Sequence, residues 1–482
     1  MDIIDSQLLD LKKIANKALN NNNFEKSLAA ISAAASLQYS YNQNYIDEEL
    51  EKMLLIVKEK LFLNREISFN KHEVDEGTVL FYDGFGLDTR GLALIYLKGL
   101  ANNGYRIIYV TSKNADGNQP EIMKALVSYD VEYCYIDMKK SHVYWISQLC
   151  NLFDKYKPKT AFFYTTPFDV AATITFERYD NIVKRYQIDL TDHAFWLGKY
   201  AFDYCVELRN VGSQISYNYR KIPYEKIIML PYYAPINEKI KFEGFPFTDY
   251  EGKKIIFSGG ALYKTLGDSE KKYYKIVDRI LYKHRDVLFL YAGTGDDSEL
   301  KKIMNKYPKR VFHINERKDL FQIMKRCTFY LNTYPMFGGL MMNFAALAGK
   351  VPLTLRHNND ADGLLFNQDK LGIEFDNIED LLEEADRLLC NEKYAKEKSK
   401  KLINSVITCK KFENNLKQLI ENQTTEFEID INNIDTSEFR KEYIKRFNFK
   451  ESLTSSIAQR CNKSLIINYP ILFCKMFLKS LF

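Results

Sequence analysis

Apolar residues spaced three and four apart open the chain and predict helices over roughly residues 6–20, 23–39 and 46–62. The middle segment places Phe24, Leu28, Ile31 and Ala35 on one stripe, and Asn20–Asn23 makes the break before it. From Thr78 the period changes. Short β-branched and aromatic runs at Thr78–Tyr82, Tyr105–Val110, Val131–Ile136, Thr160–Tyr164, Gln187–Leu190, Tyr204–Glu207 and Ile227–Leu230 read as strands separated by helical stretches. They are continuous apolar runs rather than alternating ones, the pattern of parallel strands covered on both faces.

Prolines at 231, 235 and 246 interrupt the alternation, which resumes with strands at Lys254–Ser258, Val287–Ala292, Val311–Ile314, Phe329–Leu331 and Pro352–Leu355. The pattern predicts an α/β protein of two doubly wound, Rossmann-like domains with an N-terminal helical segment and a helical C-terminal extension. The expected boundaries are 1–65 for the helices, 75–235 and 250–420 for the two lobes, and 421–482 for the extension. Ligands of such sheets bind at the carboxyl ends of the strands, so an interdomain cleft is the expected site.

The N-terminal helices pair through alanine, and this pairing resembles one and a half units of a tetratricopeptide repeat. A free-standing solenoid needs about three units. A helical cap docked on the next domain is therefore expected, with a partner-binding module as the other reading.

Hydrophobic residues make up 46% and charged residues 27% of 482, which fits a globular protein and not a disordered one. The net charge of +5 is spread along the chain, giving no basic face for nucleic acid. Eight dispersed cysteines without a C-x-x-C pair argue for a reducing compartment, against a disulfide framework and against structural zinc. The start lacks a signal-peptide pattern and no run is long enough to span a bilayer, so a cytoplasmic location is expected. The last stretch, 464–482, is apolar with Lys475 and Lys479 interspersed. It could lie on the inner face of a membrane as a peripheral contact or pack back as a helix.

Candidate chemistry sits where strands end. In the second lobe, a strand runs into Gly259-Gly260-Ala-Leu-Tyr-Lys264. Glycines let a backbone approach a pyrophosphate, and Lys264 could neutralise a departing diphosphate. Further on, Gly338-Gly339 opens an alanine-rich helix, placing bare N-terminal amides where phosphates could sit. In the first lobe, Asp192-His193 ends a strand, and an imidazole there can take a proton near neutral pH. The loop Asp83-Gly84-Phe-Gly86-Leu-Asp-Thr-Arg90 also follows a strand. Its spacing is not G-x-G-x-x-G, which excludes a nicotinamide cofactor. Asp360-Ala-Asp362, a D-x-D, reads as a polar turn rather than a metal site.

Taken in order, the motifs from Ile255 to about Leu402 resemble the C-terminal lobe of the GT-B glycosyltransferases of group 1, the glycogen- and sucrose-synthase-like enzymes. Gly259, Gly260 and Lys264 stand where that group has its phosphate-binding glycine, arginine and lysine. Asp362-Gly-Leu-Leu-Phe366 and the stretch from Ile373 to Leu382 match its closing loop, strand and helix. The Tyr334-Pro-Met-Phe-Gly-Gly loop is similar to that of O-GlcNAc-transferase-like enzymes. Two positions depart from the pattern. Gly260 replaces the arginine, for which Arg317 or Arg356 could substitute. Ala345 replaces the ribose-binding carboxylate, for which Asn343 could substitute.

The resemblance implies a glycosyltransferase with a nucleotide-sugar donor, UDP-linked by preference, bound through Gly259, Gly260, Lys264, Arg317, Tyr334, Gly338, Gly339 and Asn343. His193 and Asp192 would be catalytic, Gly84, Gly86 and Arg90 would lie on the acceptor side, and neither cofactor nor metal is expected. The acceptor would be a glycan, a lipid-linked glycan or a protein, in bacterial surface polysaccharide or glycoconjugate assembly. The alternatives are a UDP-sugar 2-epimerase and a non-catalytic helical-repeat scaffold carrying a degenerate lobe.

Overall fold

Small side chains let helices pack closely, and the first three helices of the computed structural model use this. The structure describes residues 3–41, 44–88, 92–112, 119–137, 140–236, 239–356, 371–437, 439–441, 470 and 474. Helices α1 (Ile3–Asn20), α2 (Phe24–Tyr41) and α3 (Glu48–Leu61) come first. Asp47 caps α3 by accepting from the amides of Glu49 and Leu50, and three glutamates in its first turn oppose the helix dipole.

Contacts divide the chain into two units, the first holding residues 1–230 with 412–434 and the second residues 231–411 with the described residues from 435 to 441. In the first unit follow β1 (Asp75–Asp83), α4 (Ala93–Asn102), β2 (Arg106–Ser112), α5 (Pro120–Ala125), β3 (Val131–Ile136), α6 (His142–Tyr156), β4 (Pro158–Tyr164) and α7 (Val170–Arg178). Then come β5 (Lys184–Ile188), β6 (Tyr204–Glu207), α8 (Asn210–Asn218) and β7 (Ile227–Met229). The seven strands form one parallel sheet in the order β3-β2-β1-β4-β5-β6-β7. Its core is aromatic: Phe81 on the central strand meets the rings of Tyr96, Tyr109, Phe162 and Tyr164 at 6.1–6.4 Å. The fifth strand begins earlier than its apolar run suggested, because the buried Arg185 is part of it. That guanidinium is held by Asp203, Oδ1 at 3.0 Å, and by the Phe176 carbonyl at 2.9 Å.

The N-terminal helices dock on this unit. Fourteen residues of α2 are buried, so no face is left for a partner, and it packs against α6 and α7 as well as α1 and α3. Polar stitches fix it: Ser32 donates to the Phe168 carbonyl at 2.8 Å, and Glu25 meets His142 Nδ1 at 2.9 Å. From α3, Glu51 accepts the Gly198 amide at 2.9 Å. The first three helices are part of the first unit's core.

The second unit contains β8 (Lys254–Gly259), α9 (Lys272–Lys283), β9 (Val287–Ala292), α10 (Ser298–Lys306), β10 (Val311–Ile314), α11 (Leu320–Lys325), β11 (Phe329–Leu331) and α12 (Gly339–Leu347). It closes with β12 (Pro352–Leu355), β13 (Glu374–Phe375), α13 (Ile378–Cys390) and α14 (Glu392–Ile403). Its six strands are also parallel, in the order β10-β9-β8-β11-β12-β13. The next helix, α15 (Cys409–Asn422), leaves this unit. From Phe412 onward it belongs to the first, not to the second lobe as the expected 250–420 boundary had it. The reason is α4, where the missing side chain of Gly99 admits Leu416 and Phe412, and Phe412 packs edge-on against Tyr96 at 5.2 Å. Residues 423–434 then run along the first unit, with Thr425 donating to the Met229 carbonyl at 2.6 Å and Tyr219 to that of Ile434 at 2.6 Å. Among the described residues no helix is long and apolar enough to cross a membrane. The tail at 464–482 and the D-x-D at 360–362 lie outside the described residues, apart from positions 470 and 474.

Candidate functional site

In the second unit three strand ends converge through their glycines. Gly259 closes β8, and a side chain on it would lie 3.1 Å from the Ala292 carbonyl at the end of β9. Gly260 follows with φ 140°, a conformation closed to other residues in practice, and donates its amide to that same carbonyl at 2.9 Å. Its own carbonyl accepts Tyr291 Oη at 3.0 Å. Opposite stands a second glycine loop, Gly293-Thr294-Gly295. A Cβ on Gly293 would sit 1.9 Å from the Gly260 oxygen, and Leu262 donates to the Thr294 carbonyl at 2.9 Å. Two glycine loops thus lie backbone on backbone.

The third strand end is knitted to them by Asn332. Its Oδ1 accepts the amides of Thr333 and Gly338, both at 3.0 Å, and its Nδ2 donates to Thr354 Oγ1 at 3.2 Å. Tyr330 donates to the Gly259 carbonyl at 3.1 Å. Gly338 is the N-cap of α12 and no side chain caps that helix, which begins at Gly339. Lys264 sits on the one-turn 3-10 helix Leu262–Thr265. Its Nζ donates to the Phe337 carbonyl at 3.3 Å, and its carbonyl accepts the Met336 amide at 3.2 Å. Gly259, Gly260, Lys264, Gly338 and Gly339 are therefore neighbours, with an ammonium and a helix N-terminus on one side and two glycine loops on the other.

Three of the predicted donor residues, and Arg356 as the alternative to Arg317, are placed otherwise. Arg317 forks onto the fully buried Asp319, with Nε to Oδ1 at 2.7 Å and Nη2 to Oδ2 at 2.5 Å, and donates to the Gly244 carbonyl at 2.8 Å. A buried carboxylate needs that counter-charge, so this arginine is committed. Arg356 likewise pairs with Asp376 at 3.0 Å and Glu374 at 3.6 Å. Asn343 is fully buried and turns back to the Gly339 carbonyl at 2.9 Å, so it presents nothing to a ribose. Tyr334 is buried ahead of a cis proline and shapes the loop.

In the first unit, His193 Nδ1 lies 3.3 Å from Asp192 Oδ1. Asp192 is itself buried and gripped by Arg209, Nε to Oδ2 at 2.5 Å and Nη2 to Oδ1 at 2.7 Å. Burial alone would raise its pKa, but the guanidinium outweighs it and holds the carboxyl well below the usual range. Asp192 is thus an ionised acceptor that orients His193, and not a base itself. Arg220 pins the same loop by donating to the carbonyls of Asp192 at 2.8 Å and Ala194 at 2.6 Å. Both arginines flank α8 and were not singled out from the sequence, since only the fold carries them back to residues 189–194.

Beneath them, Asp189, Cys205 and Glu207 bring ligand-type atoms within 4.8 Å of one another. Burial pushes the Glu207 carboxyl well up, and it accepts from Ser216 and from the Cys205 thiol. A proton on Glu207 leaves Asp189 and Asp192 balanced by Arg209 and Arg220. Glu207 Oε2 packs on Gly212, where even a Cβ would stand at 2.2 Å.

The loop after β1 is built around Asp83, whose Oδ1 accepts the amides of Phe85 at 3.1 Å and Gly86 at 2.9 Å while Oδ2 takes the Tyr109 hydroxyl at 2.8 Å. Burial raises its pKa to about 6. Gly84 is required by crowding, with Thr165, Tyr82 and Asp169 all within 3.2 Å of a Cβ position, and Gly86 by its φ of 61°. Arg90 lies outside the described residues.

No family model matches the chain, and no curated protein matches it in sequence. Solved structures do. The chain is similar to TarM, with a TM-score of 0.56 at 12% identity over 72% of this chain and 99% of that one. It is similar to a mutant O-GlcNAc transferase of Thermobaculum terrenum, at 0.53 and 12% over 91% and 84%. It is also similar to a protein of Listeria monocytogenes assigned as a UDP-N-acetylglucosamine 2-epimerase, at 0.50 and 12% over 75% and 100%. The fold is GT-B. At these identities the likeness is one of fold, and the chemistry has to be argued from the residues.

Proposed function

We propose that the chain is a glycosyltransferase that takes a sugar from a nucleotide diphosphate donor, UDP-linked by preference, and passes it to a glycan, lipid-linked glycan or protein acceptor in surface polysaccharide or glycoconjugate assembly. The observation that carries this reading is the cradle of the second unit. Two glycine loops pressed backbone to backbone, the uncapped start of α12 and the ammonium of Lys264 together suit a diphosphate and little else. That set supplies positive charge from amides and a lysine, so the reaction is proposed to run without a metal.

His193 is proposed as the general base. In this role the ionised Asp192 would hold the ring proton on Nδ1, and Nε2 would take the acceptor hydroxyl's proton. Bound in this protein, α2 is no free repeat surface, which weighs against the scaffold reading.

The test is titration calorimetry with UDP, GDP and their common sugar conjugates on the wild type and Lys264→Ala, followed by mass spectrometry of the products. One nucleotide class should bind, at least tenfold weaker in Lys264→Ala. Activity should survive EDTA. Binding followed by isomerised donor alone would replace a transferase with a 2-epimerase, and no nucleotide binding would overturn the proposal.

A further inference from the structure

The amino ends of the second unit's central strands enclose a cavity of about 320 Å³, at the edge of the sheet opposite the glycine cradle. Lys254 opens β8, Arg326 and Thr328 precede β11, Lys350 joins α12 to β12, and Glu392 and Lys396 belong to α14. Four cations therefore face one carboxylate.

Three of the cations have partners. Lys254 pairs with Asp286 at 2.9 Å, Lys396 with Glu392 at 2.6 Å, and Arg326 lies 4.1 Å over the Phe242 ring and donates to the Gln322 carbonyl at 2.8 Å. Lys350 has no ion pair among the described residues, although it is only part-exposed. Half-desolvating an ammonium that has no ion pair is costly, and burial accordingly pulls its pKa below the ordinary value, with Cys327 and Glu392 raising it in part and Lys396 lowering it. The Cys327 thiol on the same wall is fully buried with its pKa pushed up, so it brings no charge. Thr328 Oγ1 accepts the Ile255 amide at 3.2 Å, which leaves its hydroxyl proton to donate.

We propose that this cavity is a second ligand site, for a phosphate group, separate from the nucleotide cradle. An oxyanion between Lys350, Arg326 and the Thr328 hydroxyl would meet the unpaired ammonium and accept up to three charge-assisted or hydroxyl hydrogen bonds. The start of α14 adds a favourable dipole. The volume sits at the lower limit for a small-molecule pocket, which fits orthophosphate or a small phosphomonoester but not a nucleotide sugar. Helix α12 joins the two sites. Its first residue follows Gly338 in the cradle, its last precedes Gly349 and Lys350 in the cavity, and its nine residues span roughly 13 Å.

The experiment uses the full chain at constant ionic strength, with orthophosphate, glycerol 3-phosphate and chloride followed by thermal shift and calorimetry. Lys350→Met and Lys350→Arg are compared with the wild type. Saturable stabilisation by a phosphate compound, absent with chloride, at least tenfold weaker in Lys350→Met and largely kept in Lys350→Arg, supports the site. Lys350→Met should fold, since it removes a half-covered charge that has no ion pair, and its own melting temperature checks this. Tighter binding of glycerol 3-phosphate assigns the site to an organic phosphate, and equal binding to orthophosphate. No saturable binding, equal binding to Lys350→Met, or displacement by UDP would overturn it.

Discussion

Glu177 on α7 is among the least comfortable residues of the first unit, and replacing it with glutamine should make the protein more stable at neutral pH. Its carboxylate is buried, neither oxygen has a hydrogen-bond partner, and the nearest cation, Lys58 Nζ, stands at 4.0 Å. Glu51 faces it from α3. Burial first, and then the charge of Glu51, push Glu177 up to about 8, against a partial pull from Lys58 and Arg185 and a small push from Asp180. Burial pushes Glu51 itself to about 7 despite the Gly198 and Lys199 amides, with Glu48 raising it and Lys199 lowering it. Both folded values lie above the ordinary 4.5, so between that value and about 8 the folded state holds protons that the unfolded chain releases. Stability must therefore fall as pH rises through this window, and it is fully present only below it.

For Glu177 the shift amounts to about 3–5 kcal/mol above pH 8 at 1.36 kcal/mol per unit. Glu177→Gln keeps the shape and removes the proton. Its gain over wild type should be near zero at pH 4.5 and about 3–5 kcal/mol at pH 8.5, or roughly 6–20 °C for a unit of this size. Thermal melts of both proteins from pH 4.5 to 8.5 measure it. A difference between them that does not change with pH would refute the argument, because it would mean that Glu177 is ionised in the fold throughout.

Three further substitutions follow from the packing. Gly293→Ala would drive a Cβ into the Gly260 carbonyl, so nucleotide affinity should drop more than tenfold by calorimetry while far-ultraviolet circular dichroism is little changed. Arg209→Met strands the buried Asp192 and should cost about 3–5 kcal/mol in urea denaturation, with the loss smallest at acid pH, where Asp192 can be protonated. Gly99→Ala places a Cβ 2.8 Å from Leu416 Cδ2, and overpacking of the α4–α15 seam should lower stability by about 1–3 kcal/mol in the same assay.

Much of this architecture is legible in the sequence because parallel strands buried on both faces need unbroken apolar runs, and twelve such runs mark twelve strands. β5 was read late because Lys184 and Arg185 hide its start, and only the fold shows that Asp203 neutralises that arginine. The glycines at 259, 260 and 338 were visible as strand-end punctuation. Gly293-Thr294-Gly295 carries the same signal after Val287–Ala292, and the same reasoning would have found it. Charged residues are harder. Arg317 and Asp192 have the right chemistry for a ligand and a base, but each is bound to a buried partner: Asp319, two residues on, for Arg317, and Arg209, which only the fold brings close, for Asp192. Lys350 is the converse, an unremarked surface-type residue that the fold leaves half-covered and unpaired.

The return of residues 412–434 to the first unit has a consequence for synthesis. Everything from 231 to 411 is spliced into that unit's sequence, so a chain emerging from the ribosome makes most of the later lobe while the earlier one still lacks a wall. Until α15 arrives, the groove beside Gly99 and the rim of β7 at Met229 lie open. A nascent chain stalled short of α15 would expose the rings of Tyr96 and its neighbours, a sticky surface of the kind chaperones hold.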